Sequence, residues 1–220
     1  MNWTKIAELA REAFREGVNA WIGKAGIAGG VVNGPVLELR PGALNSPIQV
    51  NNLVFAAMTR NGVSPLISKA LANTLGGAWH EWAAGFHLRA TAFPALAAVP
   101  APAAGPTPGV PVPLRQGASS GESSLSRTML SSRLAAALQG QTQGVTGNMP
   151  QSMDDLAQWV DGSYQDWKSL AMLSGLAGQG NVPTFAPPYV PVGPVIQGNV
   201  MAGGTVFAGP RFGRIVPPTR

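Results

Sequence analysis

Residues 62–88 recur, in register and without a gap, 85 positions later at residues 147–173. Gly62/Gly147, Pro65/Pro150, Leu71/Leu156, Ala72/Ala157, Gly77/Gly162, Trp82/Trp167 and Leu88/Leu173 are identical, and Trp79/Tyr164 and Glu81/Asp166 are conservative exchanges. A repeat confines the fold to architectures that use one unit twice. The shared positions are mostly glycine, proline and large apolar residues, which set backbone path and packing. Both histidines fall on positions that vary, His80 against Gln165 and His87 against Met172. Duplication of shape is expected, rather than duplication of chemistry.

Each copy runs into a proline-rich stretch, residues 93–114 and 182–200. Proline has no N–H for a ladder, so these stretches predict polyproline II or isolated extended straps. Phe93, Phe185 and Tyr189 are costly to leave in water, so the straps are expected to dock. Before and between them the spacing predicts helices. Thr4 is the candidate cap of a first helix whose Ile6, Ala10, Ala13, Phe14, Val18 and Trp21 form a buried stripe. Ser46-Pro47 predicts a helix over residues 48–60, stopped by Asn61-Gly62. Ser64-Pro65 starts a third helix, in which Gly76-Gly77 is expected to introduce a bend before Trp79, Trp82 and Phe86. The second copy predicts helices over residues 124–138 and about 152–173, the latter capped by Ser152. Residues 23–34 are glycine-rich and residues 35–39 read as a short extended piece.

The expected fold is mainly α, with long extended proline-rich segments and little regular β. It divides into an N-terminal helix and glycine-rich arm (residues 1–42), two helix-pair-plus-strap lobes (residues 43–115 and 124–220) and a Gly/Ser linker (residues 116–123).

Only 11% of the 220 residues are charged, whereas Gly and Pro number 28 and 20. An average soluble domain has about 25% charged residues. With 45% hydrophobic residues and a net charge of +5, the chain does not fit the disorder rule of low hydrophobicity and high charge. Its surface has too little polar material to be fully wetted, which points to cover by partner subunits. There is no cysteine, so disulfides, thiolate metal sites and cysteine nucleophiles are excluded. The first segment lacks the continuous apolar run of a signal peptide. The uncharged runs at residues 90–114 and 169–210 are broken by proline, so no membrane insertion is expected. The basic residues are scattered except for Arg211, Arg214 and Arg220, which supports nucleic-acid contact only weakly.

Catalytic motifs are formal matches without their required context. Gly117-Ala118-Ser119-Ser120-Gly121 fits G-x-S-x-G but sits in a polar segment after a proline run, where the nucleophile elbow needs a strand entering the turn and a helix leaving it. A hydrolase would nonetheless have to use Ser119. His80 and His87 lie seven apart, the wrong spacing for H-E-x-x-H. Residues 17–24 lack the glycine spacing and the Ser or Thr of a phosphate loop, and a helix precedes them. Asp154, Asp155, Asp161 and Asp166 spread around one helix as a solvated face. No catalytic residue, cofactor site or metal site is assigned.

The aromatic residues carry more. Trp82 and Trp167 are expected to seal helix against strap in each copy. Phe14, Trp21, Trp79, Trp82, Phe93, Tyr164, Trp167, Phe185 and Tyr189 are the candidate packing or interface residues.

The text of residues 183–200, PTFAPPYVPVGPVIQGNV, together with residues 93–114, resembles Ala/Gly/Pro-rich structural proteins of tailed-bacteriophage virions. The resemblance implies a non-enzymatic particle component of the capsid, neck, tail or baseplate. Such a protein is made in the host cytoplasm and located in the virion, bound to copies of itself and other virion subunits. The competing expectation is a soluble adaptor whose proline-rich segments bind polyproline-recognising domains.

Overall fold

A computed structural model describes residues 1–93, 97–98, 107–141, 144–181, 192–193, 196–202 and 206–213. Five helices are present among them: α1 (Trp3–Ile22), α2 (Val50–Arg60), α3 (Pro65–Gly85), α4 (Arg127–Ala137) and α5 (Met149–Leu170). The strands are β1 (Gly26–Ile27), β2 (Val31–Asn33), β3 (Val36–Leu39), β4 (Leu44–Asn45), β5 (Phe86–Thr91), β6 (Ala97–Ala98), β7 (Thr107–Pro108), β8 (Val112–Pro113), β9 (Ala118–Ser119), β10 (Met172–Leu173), β11 (Leu176–Asn181), β12 (Val192–Gly193), β13 (Ile196–Ala202) and β14 (Phe207–Ala208).

The helix starts differ slightly from expectation, each for a local reason. Asn2, not Thr4, caps α1 by accepting from Lys5 N at 2.8 Å. Ser46 Oγ accepts from Ile48 N and donates to Trp21 O, which holds residues 46–48 in a turn tied to the end of α1 and delays α2 to Val50. Asn148 rather than Ser152 caps α5. Helix α3 runs unbroken through Gly76-Gly77. A Cβ on Gly76 would stand 2.6 Å from Asn51 N, so this glycine allows α2 and α3 to cross closely rather than to bend. Gly77 and its repeat partner Gly162 face open space within their helices. Gly77→Ala and Gly162→Ala are each expected to stabilise the chain by about 0.5–1 kcal/mol, because alanine loses less backbone entropy. Gly76→Ala is expected to destabilise it. Urea denaturation midpoints of the three variants check both signs.

Helix contacts run α1–α2–α3–α4–α5 and return from α5 to α1, so the helices close into a ring. The buried residues recur every fourth position, Val50, Val54 and Met58 in α2 against Leu130 and Leu134 in α4 and Leu138 at its C-cap. Two carboxylates of α5 tie down the start of α4. Asp154 takes both Nε and Nη2 of Arg127, and Asp161 accepts from Arg127 N at 3.0 Å. These aspartates do more than form a solvated face.

The expectation of little regular β in two lobes is overturned by a seven-stranded antiparallel sheet of order β7-β11-β13-β2-β3-β5-β9. Both long helices turn into strands without a loop. Helix α3 ends at Gly85 and Phe86 is already extended (φ −65°, ψ 132°), and α5 ends at Leu170 with Ala171 extended (φ −74°, ψ 145°). These junctions are repeat partners. Beyond the first, burial alternates, with Phe86, Leu88 and Ala90 inside and His87, Arg89 and Thr91 outside, which is strand periodicity. The helical assignment of residues 86–88 and 171–173 is corrected accordingly.

Each copy is a strand–helix–helix–strand unit in which the outer strands pair. Leu37 faces Ala90 and Leu39 faces Leu88 between β3 and β5, and Val112 faces Leu173 between β8 and β10. The buried residues of both copies belong to one connected core, so the copies are not lobes.

The proline-rich stretches are also corrected where they are described. Residues 107–108 and 112–113 are strands, and Pro108 and Pro113 lie on β7 and β8, the outermost strands of their sheets, where a missing N–H is tolerated. Residues 196–202 form β13, which carries no proline and pairs on both sides, with β11 and β2. Residues 94–96, 99–106, 182–191 and 194–195 lie outside the described residues. Hairpin β2–β3 turns through Gly34-Pro35, with Gly34 at φ 61°. A left-handed glycine before the fixed φ of proline makes a type II′ turn, one of the two that match strand twist.

Candidate interaction sites

Six of the aromatic residues singled out in the sequence meet at the centre of the helix ring: Phe14 and Trp21 from α1, Trp79 and Trp82 from α3, Tyr164 and Trp167 from α5. All are buried. Ring centroids lie 5.6 Å apart for Trp82 and Trp167, 5.5 Å for Trp79 and Trp167, and 5.7 Å for Trp82 and Tyr164. Exchanging the copies maps the first pair onto itself and the other two onto each other. Repeat-partner positions therefore meet at the centre, and the same positions that seal each copy also join the two. Phe93 is buried elsewhere, with its ring against Gly109 and Gly178. Phe185 and Tyr189 lie outside the described residues.

Charge is arranged around this centre. Lys168 Nζ meets Glu122 Oε1 at 2.6 Å and lies 5.8 Å above the Tyr164 ring. Burial first, and then the Glu122 carboxylate, push the Tyr164 phenol far above its ordinary range. The group is consequently a neutral packing element.

Phe212 completes the aromatic centre and was not legible in the sequence, where it lies in a Gly/Pro-rich stretch without periodicity. Its ring packs at 5.8 Å from Phe14, 5.5 Å from Trp79 and 6.1 Å from Trp159. Asn19 grips its main chain from both sides. Asn19 Oδ1 accepts from Phe212 N at 3.0 Å and Nδ2 donates to Phe212 O at 3.1 Å. One available signal was Gly213 beside it, at φ 69°. Between α1 and residues 207–213 runs an open groove of about 970 Å³ edged by Arg15, Glu16, Asn19, Phe207 and Arg211. Arg214 and Arg220 lie outside the described residues.

The Gly/Ser stretch read as a linker is packed against the end of α3. Gly117-Ala118-Ser119-Ser120-Gly121 supplies β9, which pairs Phe86 with Ser119 and His87 with Ala118. A Cβ on Gly121 would overlap the Glu81 carbonyl, and one on Gly117 the Phe86 ring. Ser119 Oγ donates to Trp82 O at 2.7 Å and accepts from Gly121 N at 3.0 Å. Its hydroxyl and both glycines thus hold a close crossing, and among the described residues no histidine or carboxylate is hydrogen-bonded to it. Gly17, from the false phosphate loop, rests against Val50 in the contact between α1 and α2.

The two histidines do not share a face, because the helix ends between them. His87 stands on the exposed side of β5, with Nδ1 3.2 Å from Gly85 O. His80 lies half-buried on α3 and burial lowers its pKa below 6.5, partly offset by a hydrogen bond to the Ile48 backbone. A depressed histidine favours the neutral form in the fold, so the unfolded chain binds more protons as pH falls through 6.5 and stability declines. His80→Gln, the residue of the second copy, is expected to lose less stability than the wild type between pH 8 and pH 5; paired urea titrations measure the difference. Glu81 accepts from Ser124 Oγ and pairs with Arg133 at 2.8 Å; the Ser124 hydrogen bond lowers its pKa, burial opposes it, and Arg133 adds to the lowering. Among the described residues no three His, Asp or Glu side chains converge on a common point.

No helix among the described residues is long and apolar enough to cross a membrane. No protein-family model, curated protein or solved structure matches this chain.

Proposed function

We propose that this chain is a non-enzymatic structural or assembly component of a bacteriophage particle, binding neighbouring subunits through its exposed helix faces. The observation that carries the reading is an apolar surface on a charge-poor chain. Leu53 and Phe55 on α2, Leu66 on α3, Met129 on α4 and Leu170 on α5 are all exposed. The 220 residues include only 15 Lys and Arg and 10 Asp and Glu, so few charges surround these side chains. Spread over four helices, these side chains offer neighbouring subunits several separate apolar contacts. The seven described aromatic candidates, Phe14, Trp21, Trp79, Trp82, Phe93, Tyr164 and Trp167, are buried rather than on the contact surface, and strands β7 and β8 of the proline-rich text are used within sheets. The likeness of composition to virion proteins favours a particle as the setting.

The test is quantitative mass spectrometry of particles purified from cells carrying this coding sequence, with and without an epitope tag on the chain. Recovery at a fixed stoichiometry to other particle proteins is expected. Absence from purified particles would sink the proposal.

A further inference from the structure

Leu66 is the most exposed large hydrophobic residue described, at 69%, and Met1 is exposed at 52%. Both line a groove of about 460 Å³ whose other apolar walls are Ile6, Val63, Ile67 and Val145. The groove is framed by the turn before α3, where Gly62 has φ 78°, and by the segment before α5, where Gly140 and Gly144 have φ 78° and 75°. Trp3 N donates to Thr146 O at 2.9 Å and fixes the start of α1 to that second segment. Arg60 precedes the first turn and Lys69 lies one helical turn beyond Leu66. Both are exposed, and neither makes an ion pair among the described residues. Among the described residues no acidic residue lines the groove.

The complementary feature is on the same chain. Leu170, half-exposed at the end of α5, lies four residues, one helical turn, from Asp166, whose carboxylate is exposed and makes no ion pair among the described residues. Most other acids are committed: Glu8, Glu12, Glu38, Glu81, Glu122 and Asp154 to ion pairs, and Asp155 and Asp161 to Gln151 and Arg127 N. The two features cannot meet within one molecule. Val145, in the groove, lies just before α5, whereas Leu170 ends it, and 22 residues of helix separate them by about 33 Å at 1.5 Å per residue.

We propose that the groove of one copy receives the Asp166–Leu170 end of α5 from a second copy, with Leu170 entering beside Leu66 and Asp166 meeting Lys69 or Arg60. The contact joins unlike surfaces at opposite ends of α5, so it is head-to-tail. Such a contact closes into a ring or continues as a stack, according to the rotation between copies. The inference rests on the assembly reading for its setting, but it concerns the purified chain alone. A chain that fails to self-associate removes this contact while leaving incorporation into particles to its own measurement.

Sedimentation velocity of the full chain over a range of concentrations tests it, with melting curves confirming that each variant is folded. The wild type is expected to form oligomers, and Leu66→Asp and Leu170→Asp are each expected to be monomeric. Mixed together, these two variants retain one working groove and one working α5 end, so they are expected to form a dimer and stop there. Lys69→Glu and Asp166→Lys are each expected to weaken association about tenfold, and the double swap to recover most of it. A wild type that stays monomeric overturns the proposal. So do oligomers that survive Leu66→Asp, a mixture of the two aspartate variants that remains monomeric, or binding of the groove to anionic vesicles in place of a second copy.

Discussion

Replacing Trp82 with alanine is expected to destabilise the chain by about 4 kcal/mol, within the ~3–5 kcal/mol range for truncating a buried large aromatic residue. The side chain is fully buried and its ring contacts Trp21, Trp79, Phe86, Tyr164 and Trp167. No single neighbour can collapse into the space, because the rings come from α1, α3 and α5, which are held apart by the ring of helices. Trp167→Ala is expected to have a similar effect, as its repeat partner. Because the two rings touch, the double variant should depart from additivity, with a coupling of about 0.5–3 kcal/mol. Urea denaturation of the four-member cycle gives the answer. Effects that simply add would show that the two copies do not share an aromatic centre, and a loss below about 1 kcal/mol for Trp82→Ala would show that the site repacks.

The second large effect is expected at Gly121, where one methyl group has nowhere to go. Its Cβ would overlap the backbone of Glu81 within α3, and backbone cannot rotate aside as a side-chain terminus can. Gly121→Ala is expected to cost about 3 kcal/mol, at the upper end of ordinary overpacking. The loss has a predictable location. Residues 117–125 would lift from α3, breaking the bonds from Ser119 Oγ to Trp82 O and from Ser124 Oγ to Glu81. Faster hydrogen exchange confined to this segment and to Phe86–His87 is the expected signature. Uniformly faster exchange would mean that the whole fold had been weakened instead. Gly77→Ala, in an open helical position, is the control of opposite sign.

The helices were legible because their signals are local: the fourfold spacing of apolar residues, prolines in first turns and glycines after last turns. The repeat was legible for the same reason, since it preserves those signals. Its consequence was not. Sequence identity at Trp82 and Trp167 does not say whether two equal surfaces face separate straps or face each other, and the second arrangement removes far more apolar area from water. The strands were hidden by two habits of reading. Phe86, four residues after Trp82, fits the helical stripe of α3 as well as it fits a strand, and backbone torsion after Gly85 decides between them. Proline-rich text suggested straps, although proline is excluded only from the interior of a sheet. The hairpin could have been read from Val31-Val32-Asn33-Gly34-Pro35-Val36-Leu37, a pair of apolar runs around Gly-Pro. Asn19 and Phe212 could not, because 193 residues separate the partners.

The loop-free passage from α3 to β5 and from α5 to β10 leaves no slack between the sheet and the indole cluster. Trp82 is four residues from the first strand residue, Phe86, and their rings lie 5.7 Å apart. A load applied to the sheet, by a partner gripping an edge strand, would reach the tryptophans through covalent backbone. Their near-ultraviolet emission consequently serves as a built-in gauge of mechanical state, readable in the unlabelled protein.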